Sequence, residues 1–346
     1  MSLILQETSP GETRAVAFLP DETPLSIFIW RHPAFDPRAK IGETRSGIVR
    51  QTDKQQGLCF VDLDTGETGV FNLSTKHTPP PEGAHVSAEI MAESWAEKAA
   101  RIRLCDTPPA ELTCAEAFAQ WQSRLPAEDW MVEYAETPQQ FSQIDEAFEN
   151  AQASAVSLPG GGRLLFDQTR ALTAIDVDAG GGQGGATRLN EVALAHIARH
   201  VSLRRIGGLM IVDLVGAPKG KKAASLHAAF KSMLSDYIVT GADILPVSRL
   251  GLIECAFRRR YRPLSDQVGQ REGDPLLSAL RAIRDIKRLA LEDRTSRPGL
   301  LAGTELYRFL NDRQSHWMGK LSDEFGQRFT LERDRNLADY AYKITA

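Results

Sequence analysis

The chain has 346 residues, 42% of them hydrophobic and 25% charged, with a net charge of −4. That is the make-up of an ordinary globular protein with room for two or three cored domains, and the charge gives no general affinity for nucleic acid, leaving that to the field over individual surfaces. Cys59, Cys105, Cys114 and Cys255 are scattered with no Cys-x-x-Cys pair, which excludes a zinc knuckle or a disulfide framework; there is no basic-then-apolar leader over 1–14 and no apolar run of membrane-spanning length, so a cytoplasmic protein is expected.

In chain order, residues 1–30 read as a β-hairpin, with 14–19 and 25–30 flanking the turn Pro20-Asp21-Glu22. Pro33 and Pro37 mark the crossing into a new unit. Five strand-like stretches follow at 45–50, 57–63, 67–72, 84–89 and 98–104, punctuated by Asp64-Thr65-Gly66 and Pro79-Pro80-Pro81-Glu82-Gly83. Five strands in about 60 residues fit a small barrel of the OB type, which often binds oligonucleotides on one face. Phe60, with Phe71 nearby, is the candidate for base stacking and Lys98 for a phosphate contact. Both phenylalanines also fit a plain core role, and on the residues alone core is the favoured of the two.

Asp106-Thr107-Pro108-Pro109 marks the next boundary. A helix over 111–124 with Leu112, Ala115, Phe118 and Ala119 near one face is followed by a strand over 131–134 and a helix over 138–150 carrying Phe141, Ile144 and Phe148. After the turn Leu158-Pro159-Gly160-Gly161-Gly162, a strand over 163–166 pairs with 172–175.

Two near-copies of one design then appear. The apolar strand 171–175 ends in Asp176-Val177-Asp178, and the apolar strand 208–212 ends in Asp213. Between them lie the glycine run 180–185 and a helix with Leu189, Val192, Ala193, Ile197 and Val201 at helical spacing. An acidic residue at the end of a buried strand costs free energy to desolvate unless it has partners. Two such ends joined by one helix can be neighbours in a single sheet. A carboxylate pair there is a seat for magnesium, which takes one or two carboxylates and fills its shell with water and substrate phosphate.

Beyond Asp213 come Lys219, Lys221 and Lys222, then a helix with Leu226, Phe230, Met233, Leu234 and Tyr237 on its stripe. A strand over 244–247 leads to Ser248-Arg249-Leu250-Gly251 and to the run Arg258-Arg259-Arg260-Tyr261-Arg262. A polar linker, 263–273, precedes Asp274-Pro275, a capping residue with proline at the first helical position. A helix with Leu276, Leu280, Ile283, Ile286 and Leu289, a segment at 300–302, a helix over 305–311 and strands near 328–333 and 340–344 make a small α/β unit over 274–346.

Several chemistries drop out. There is no Gly-x-Ser-x-Gly and no His-Glu-x-x-His, and His196 and His200 lack a third zinc ligand, so they read as polar-face or capping residues. The glycine run has no Lys-Ser/Thr behind it and is no P-loop; close backbone approach to a polyanion and a plain flexible loop fit it equally. The remaining features suit phosphodiester cleavage. Asp176 and Asp213 would hold the metal, and Lys219, Lys221, Lys222, Arg249 and the run Arg258, Arg259, Arg260 to Arg262 would grip flanking phosphates in a salt-sensitive way. The same spacing also fits an α/β fold with two acidic strand ends and no activity.

The blocks from Leu158-Pro159-Gly160-Gly161-Gly162 through Asp167-Gln168-Thr169-Arg170-Ala171-Leu172-Thr173-Ala174-Ile175-Asp176 resemble the catalytic core of the ribonuclease E/G family. The similarity continues through Asn190, Ile197-Ala198-Arg199, Leu203-Arg204, Gly207-Gly208-Leu209, Ile211-Val212-Asp213 and Ser248-Arg249-Leu250-Gly251-Leu252-Ile253-Glu254. The resemblance implies a mixed α/β fold. An RNase H-like subdomain (1–40 and 106–157) would be interrupted by an OB barrel of the ribosomal S-one type (41–105). A DNase I-like catalytic subdomain (158–262) and the C-terminal unit would follow. It implies an Mg2+-dependent endoribonuclease acting on single-stranded RNA, with Asp176 and Asp213 as the magnesium-binding aspartates, Phe60 as an RNA-contacting aromatic and Lys98 as a basic contact.

The departures are specific. Asp178 stands at the catalytic position where the family usually has asparagine, adding negative charge beside the metal. Val70 takes the place of a second barrel aromatic, with Phe71 adjacent. The segment between Leu104 and Met131 is too short for the family's 5′-monophosphate pocket, and the Cys-Pro-x-Cys zinc link is missing, so any homo-oligomer is not zinc-linked. A stripped-down relative is expected. An RNA-binding regulator or scaffold with weak or no activity is the alternative, and a small-molecule phosphohydrolase a third reading.

Overall fold

Among the described residues, three sheets and one closed barrel organise the chain. The computed structural model describes residues 1–73, 79–180, 185–237, 241–269 and 274–345. The first sheet is a meander of β1 (Ser2–Ser9), β2 (Glu12–Phe18) and β3 (Pro24–Arg31). It is completed, after the barrel, by β9 (Trp130–Tyr134), which runs parallel to β1. The expected hairpin is β2–β3. Strand β1 is a finding, because its polar residues Glu7 and Ser9 are buried rather than exposed and so hide the alternation.

The barrel inserted after β3 closes in the order β4 (Thr44–Asp53), β5 (Leu58–Leu63), β6 (Thr68–Asn72), β8 (Ala100–Cys105), β7 (His85–Ala92). Its interior is Val49, Cys59, Val61, Leu63, Ile90 and Ile102. The chain then returns to the first sheet through α1 (Cys114–Gln122) and β9, and α2 (Pro138–Gln152) covers one face with Phe141, Ile144 and Phe148 against Leu5, Val16 and Ile27. Helix α2 starts at Thr137 in a reciprocal cap with Gln140, with proline in the first turn, as the Thr-Pro-x-Gln sequence dictates.

The second sheet has the order β10 (Ala155–Ser157), β11 (Arg163–Gln168), β12 (Leu172–Asp178), β13 (Gly208–Asp213), β15 (Leu252–Phe257), β14 (Asp243–Ile244). Only β12 and β13 run parallel, joined by the crossover helix α3 (Gly185–Leu203). Helices α3 and α4 (Gly220–Asp236) bury Leu194, Ile197, Leu226 and Phe230 against Ile175, Val177, Met210 and Val212. The expected strand over 244–247 shrinks to two residues, as Pro246 cannot donate to the ladder. His200 is a correction: it is 1% exposed rather than on a polar face, and its Nδ1 accepts from Arg204 Nε at 3.2 Å.

The polar linker expected over 263–273 is overturned where it is described. Residues Leu264–Val268 form α5, and Leu264 joins the core under α2; just before it Arg262, expected to grip phosphate, is instead buried, its guanidinium donating to the carbonyls of Ala39 and Ser94. Polar composition alone does not distinguish a solvated linker from a segment whose donors satisfy buried carbonyls. Helix α6 (Pro275–Glu292), β16 (Gly299–Ala302), α7 (Thr304–Asn311), α8 (Gln314–Phe325), β17 (Thr330–Arg333) and β18 (Tyr342–Thr345) form the C-terminal unit around Trp317, Ile286 and Leu310. Helix α8 was not expected from the residues. Arg284 and Arg288 of α6 reach back into the first sheet: Arg284 meets Glu12 at 2.9 Å, and Arg288 meets Glu7 at 2.6 Å and Asp145 at 2.7 Å. No helix among the described residues is long and apolar enough to cross a membrane.

Candidate active site

Strand alternation decides where the acidic ends point. Ile175, Val177 and Val212 turn into the core under α3 and α4, so Asp176 and Asp213 face the opposite side and are exposed. The parallel register pairs Asp176 directly with Asp213. Their backbones are thus one strand spacing apart, about 4.8 Å. Neither carboxylate has a hydrogen-bond or ion-pair partner among the described residues.

The loop that carries the chain away from Asp213 is fixed from two sides. Asn190, buried in α3, donates from Nδ2 to the Val215 carbonyl and accepts from the Val215 amide, both at 3.0 Å. From the other side Leu214 N donates to Gly251 O at 3.2 Å. Gly251 has φ of +91°, and a Cβ there would stand 2.8 Å from Ala217 Cα, so only glycine fits this approach. Ser248 Oγ accepts from the amides of Leu250 and Leu252, holding the turn.

Burial pushes the Asp176 carboxyl above its usual range; the like charges of Asp213 and Asp178 add to this, and Arg163 counters it. Asp178 follows on the same face of β12, where a hydrogen bond from the Gly180 amide and one from Arg163 hold its carboxyl below the usual range. The Arg163 Nε–Asp178 Oδ2 distance is 2.8 Å. Arg163 therefore offsets part of the charge that asparagine would not have carried, while Asp178 still acts on Asp176.

Among the described residues no group of three or more His, Cys, Asp or Glu could hold a metal. A two-carboxylate seat fits magnesium and excludes an all-protein cage of the calcium or zinc kind. The pair's repulsion and its lack of a cationic partner both suit a divalent ion. Of the glycine run 180–185, residues 181–184 lie outside the described ones.

The basic and aromatic candidates separate. Phe60 stands on the outer wall of the barrel, because Cys59, Val61 and Leu63 take the inside, and the Arg50 guanidinium lies 5.8 Å from its ring centre. Phe71 pairs with Cys59 and packs on the barrel core, whereas Val70 shares the outer face with Phe60. Arg101, opposite Val70 in β8, extends that outer row. It escaped the sequence reading, although its alternation with buried Ala100 and Ile102 is the signal for it. Lys98 lies between β7 and β8 with Nζ 4.8 Å from the ring centre of Trp95, a second residue the sequence did not single out. Arg259 is close enough to act on both: burial first, then Arg101, lowers the Arg259 pKa, and burial, then Arg259, lowers that of Lys98. Arg249 is exposed on the turn beside Asp213, and Lys219, Lys221 and Lys222 are exposed at the start of α4. Arg258 is exposed beside Gly241, apart from this group.

Comparison with known proteins gives the family. A family model described as "Ribonuclease E/G family" matches residues 84–260, and the chain belongs to that family. Ribonuclease E of Synechocystis is 27% identical over 190 residues, covering 52% of this chain and 28% of the relative. Ribonuclease E of Escherichia coli is 32% identical over 158 residues, covering 43% and 14% respectively. Ribonuclease G of E. coli is 29% identical over 132 residues, covering 36% and 26%. The matched region thus spans less than a third of each of these relatives.

Proposed function

We propose that the chain is an Mg2+-dependent endoribonuclease acting on single-stranded RNA. One observation carries this reading: Asp176 and Asp213 are register partners on parallel neighbouring strands, exposed and free of cationic partners. In this reading the second sheet with α3 and α4 is the DNase I-like catalytic unit, and the first sheet with α2 is RNase H-like. When bound, magnesium supplies positive charge to the scissile phosphate and an acidified water. Asp176 and Asp213 hold and orient the ion, Asn190 and Gly251 keep Asp213 in place, and Arg163 keeps Asp178 from competing. RNA lies along the Phe60–Arg101 wall, with bases stacked on Phe60 and phosphates on Lys98, Arg101 and Arg259. Arg249 and the lysines at the start of α4 attract phosphates nearer the carboxylates.

The test is cleavage of an end-labelled single-stranded RNA with and without magnesium. Asp176→Asn and Asp213→Asn should each abolish cutting while leaving RNA affinity within about threefold. Cutting at the parental rate by either variant would refute the assignment. The alternative, an RNA-binding regulator, draws on Asp178, whose engagement with Arg163 withholds a third oxygen from the site. It is the correct reading if the parent binds RNA but never cuts it. Turnover of mononucleotides with no salt-sensitive grip on RNA would instead mark a small-molecule phosphohydrolase.

A further inference from the structure

A cavity of about 510 Å3 opens where the first sheet, α1, the end of α3 and the end of β15 meet. Its volume is that of a small-molecule site. Gly207 lies on its wall and Asp213 ends the strand that follows, so the carboxylate pair is about 20 Å away along the strand. The walls are aromatic and cationic. Phe28, Trp30 and Trp121 line it, as do Tyr261 and four arginines, Arg124, Arg205, Arg258 and Arg260.

None of those four arginines has a carboxylate within 4 Å among the described residues. Glu93, also on the cavity wall, accepts from the Ile41 and Arg262 amides. The guanidiniums of Arg124 and Arg205 both stand over the Tyr261 ring, at 5.1 and 5.3 Å from its centre. They also oppose one another's charge: burial, then Arg260, lowers the Arg124 pKa, and burial lowers that of Arg205, with Arg124 and Arg262 adding to it, while Glu93 counters in both cases. With Arg31, Lys40 and Arg262 also in its lining against only Asp36 and Glu93, the cavity carries a surplus of positive charge that a bound anion would answer.

Three of the nine buried side-chain polar atoms with no hydrogen-bond partner among the described residues belong to this one cavity. They are Trp30 Nε1, Tyr261 OH and Lys40 Nζ. Two indoles offer faces for a planar ring, and the arginines and orphan donors offer a fork for a dianion.

We propose that this cavity binds a free small molecule with a planar ring and a phosphate, the class that includes nucleoside monophosphates. The arginines around Tyr261 take the phosphate and the tryptophan walls take the ring. Occupancy neutralises the arginines between the first and second sheets, so the ligand joins the two sheets and acts at a distance from the carboxylates. The proposal does not depend on nuclease activity.

The test titrates the full chain in EDTA, by calorimetry and thermal melting, with AMP, UMP, adenosine and inorganic phosphate. AMP or UMP should bind one to one, raise Tm and bind at least about tenfold tighter than adenosine or phosphate. Arg124→Gln and Arg260→Gln, both exposed at the rim and so safe for folding, should each weaken nucleotide binding by about tenfold or more. Asp213→Asn should leave it unchanged. No nucleotide binding at millimolar concentration, or affinity insensitive to both arginine variants, overturns the proposal. So does inorganic phosphate binding as tightly as AMP, or binding confined to 5′-phosphorylated oligonucleotides, which would make the cavity part of the RNA path.

Discussion

Asp213→Asn should make the metal-free protein more stable, not less. Asp176 and Asp213 are paired in register with no cation between them. At about 5 Å and an effective dielectric between 20 and 80, their repulsion is roughly 1–3 kcal/mol, and their exposure places it near the low end. Removing one charge therefore adds about 1 kcal/mol, which raises Tm by roughly 2–4 °C. Magnesium reverses the order. At about a hundred times its Kd it stabilises the parent by about 2.7 kcal/mol and leaves the variant nearly unchanged. Melting of both proteins in EDTA and in magnesium, read by calorimetry, should show the two curves exchanging places. A variant that melts below the parent in EDTA, or gains as much from magnesium as the parent does, would refute the shared-ion argument even if cleavage were lost.

On the barrel, Phe60→Ala should weaken single-stranded RNA binding about tenfold, by loss of stacking, with an unchanged salt slope. Arg259→Gln should instead lower the slope of log K against log salt by about one contact, read by fluorescence anisotropy at several salt concentrations. Glu7, 5% exposed between Arg14 and Arg288, is the hinge of a buried ion network; Glu7→Gln should cost about 3–5 kcal/mol in urea unfolding, because two guanidiniums are left to one Asp145 carboxylate. His200 is held neutral, its pKa pushed from 6.5 down to about 2 by burial first and then by Arg204 and Arg199. The unfolded chain alone takes up that proton, so the His200 contribution is fully present above pH 6.5. It falls by up to about 1.4 kcal/mol per pH unit below that. The extra acid sensitivity between pH 6.5 and 5 should disappear in His200→Phe, measured by urea denaturation at both pH values.

The carboxylate pair was legible because each aspartate ends an apolar strand and one helix joins the two. Parallel neighbours then put equivalent ends side by side. The barrel was legible because its strands are short, alternating and divided by Gly and Pro turns. What escaped the sequence has a common cause. Strand β1 and the segment leading into helix α5 carry residues that look solvated and are not: Glu7 is answered by Arg288, 281 residues away, and Arg262 by carbonyls at 39 and 94. Local pattern reports hydrophobicity, and it is blind to a polar group whose partner is distant. The outward direction of Phe60 was undecidable for a related reason. Alternation gives two faces, and only closure of the barrel says which is inside. The aromatic cavity draws on six separated stretches of chain, and no one of them contains a motif.

The arginines of α6 also bear on the order in which a nascent chain can mature. The barrel and the sheet that carries Asp176 and Asp213 are complete in the stretch ending at Phe257, so both can consolidate while synthesis continues. The amino-terminal edge cannot. Its β1 acquires a parallel neighbour only with Trp130–Tyr134, and Glu7 and Glu12 gain Arg288 and Arg284 only when α6 has emerged. Strand β1 is thus among the last elements to settle, and truncation before residue 284 would leave an acidic, unsealed edge on an otherwise finished core.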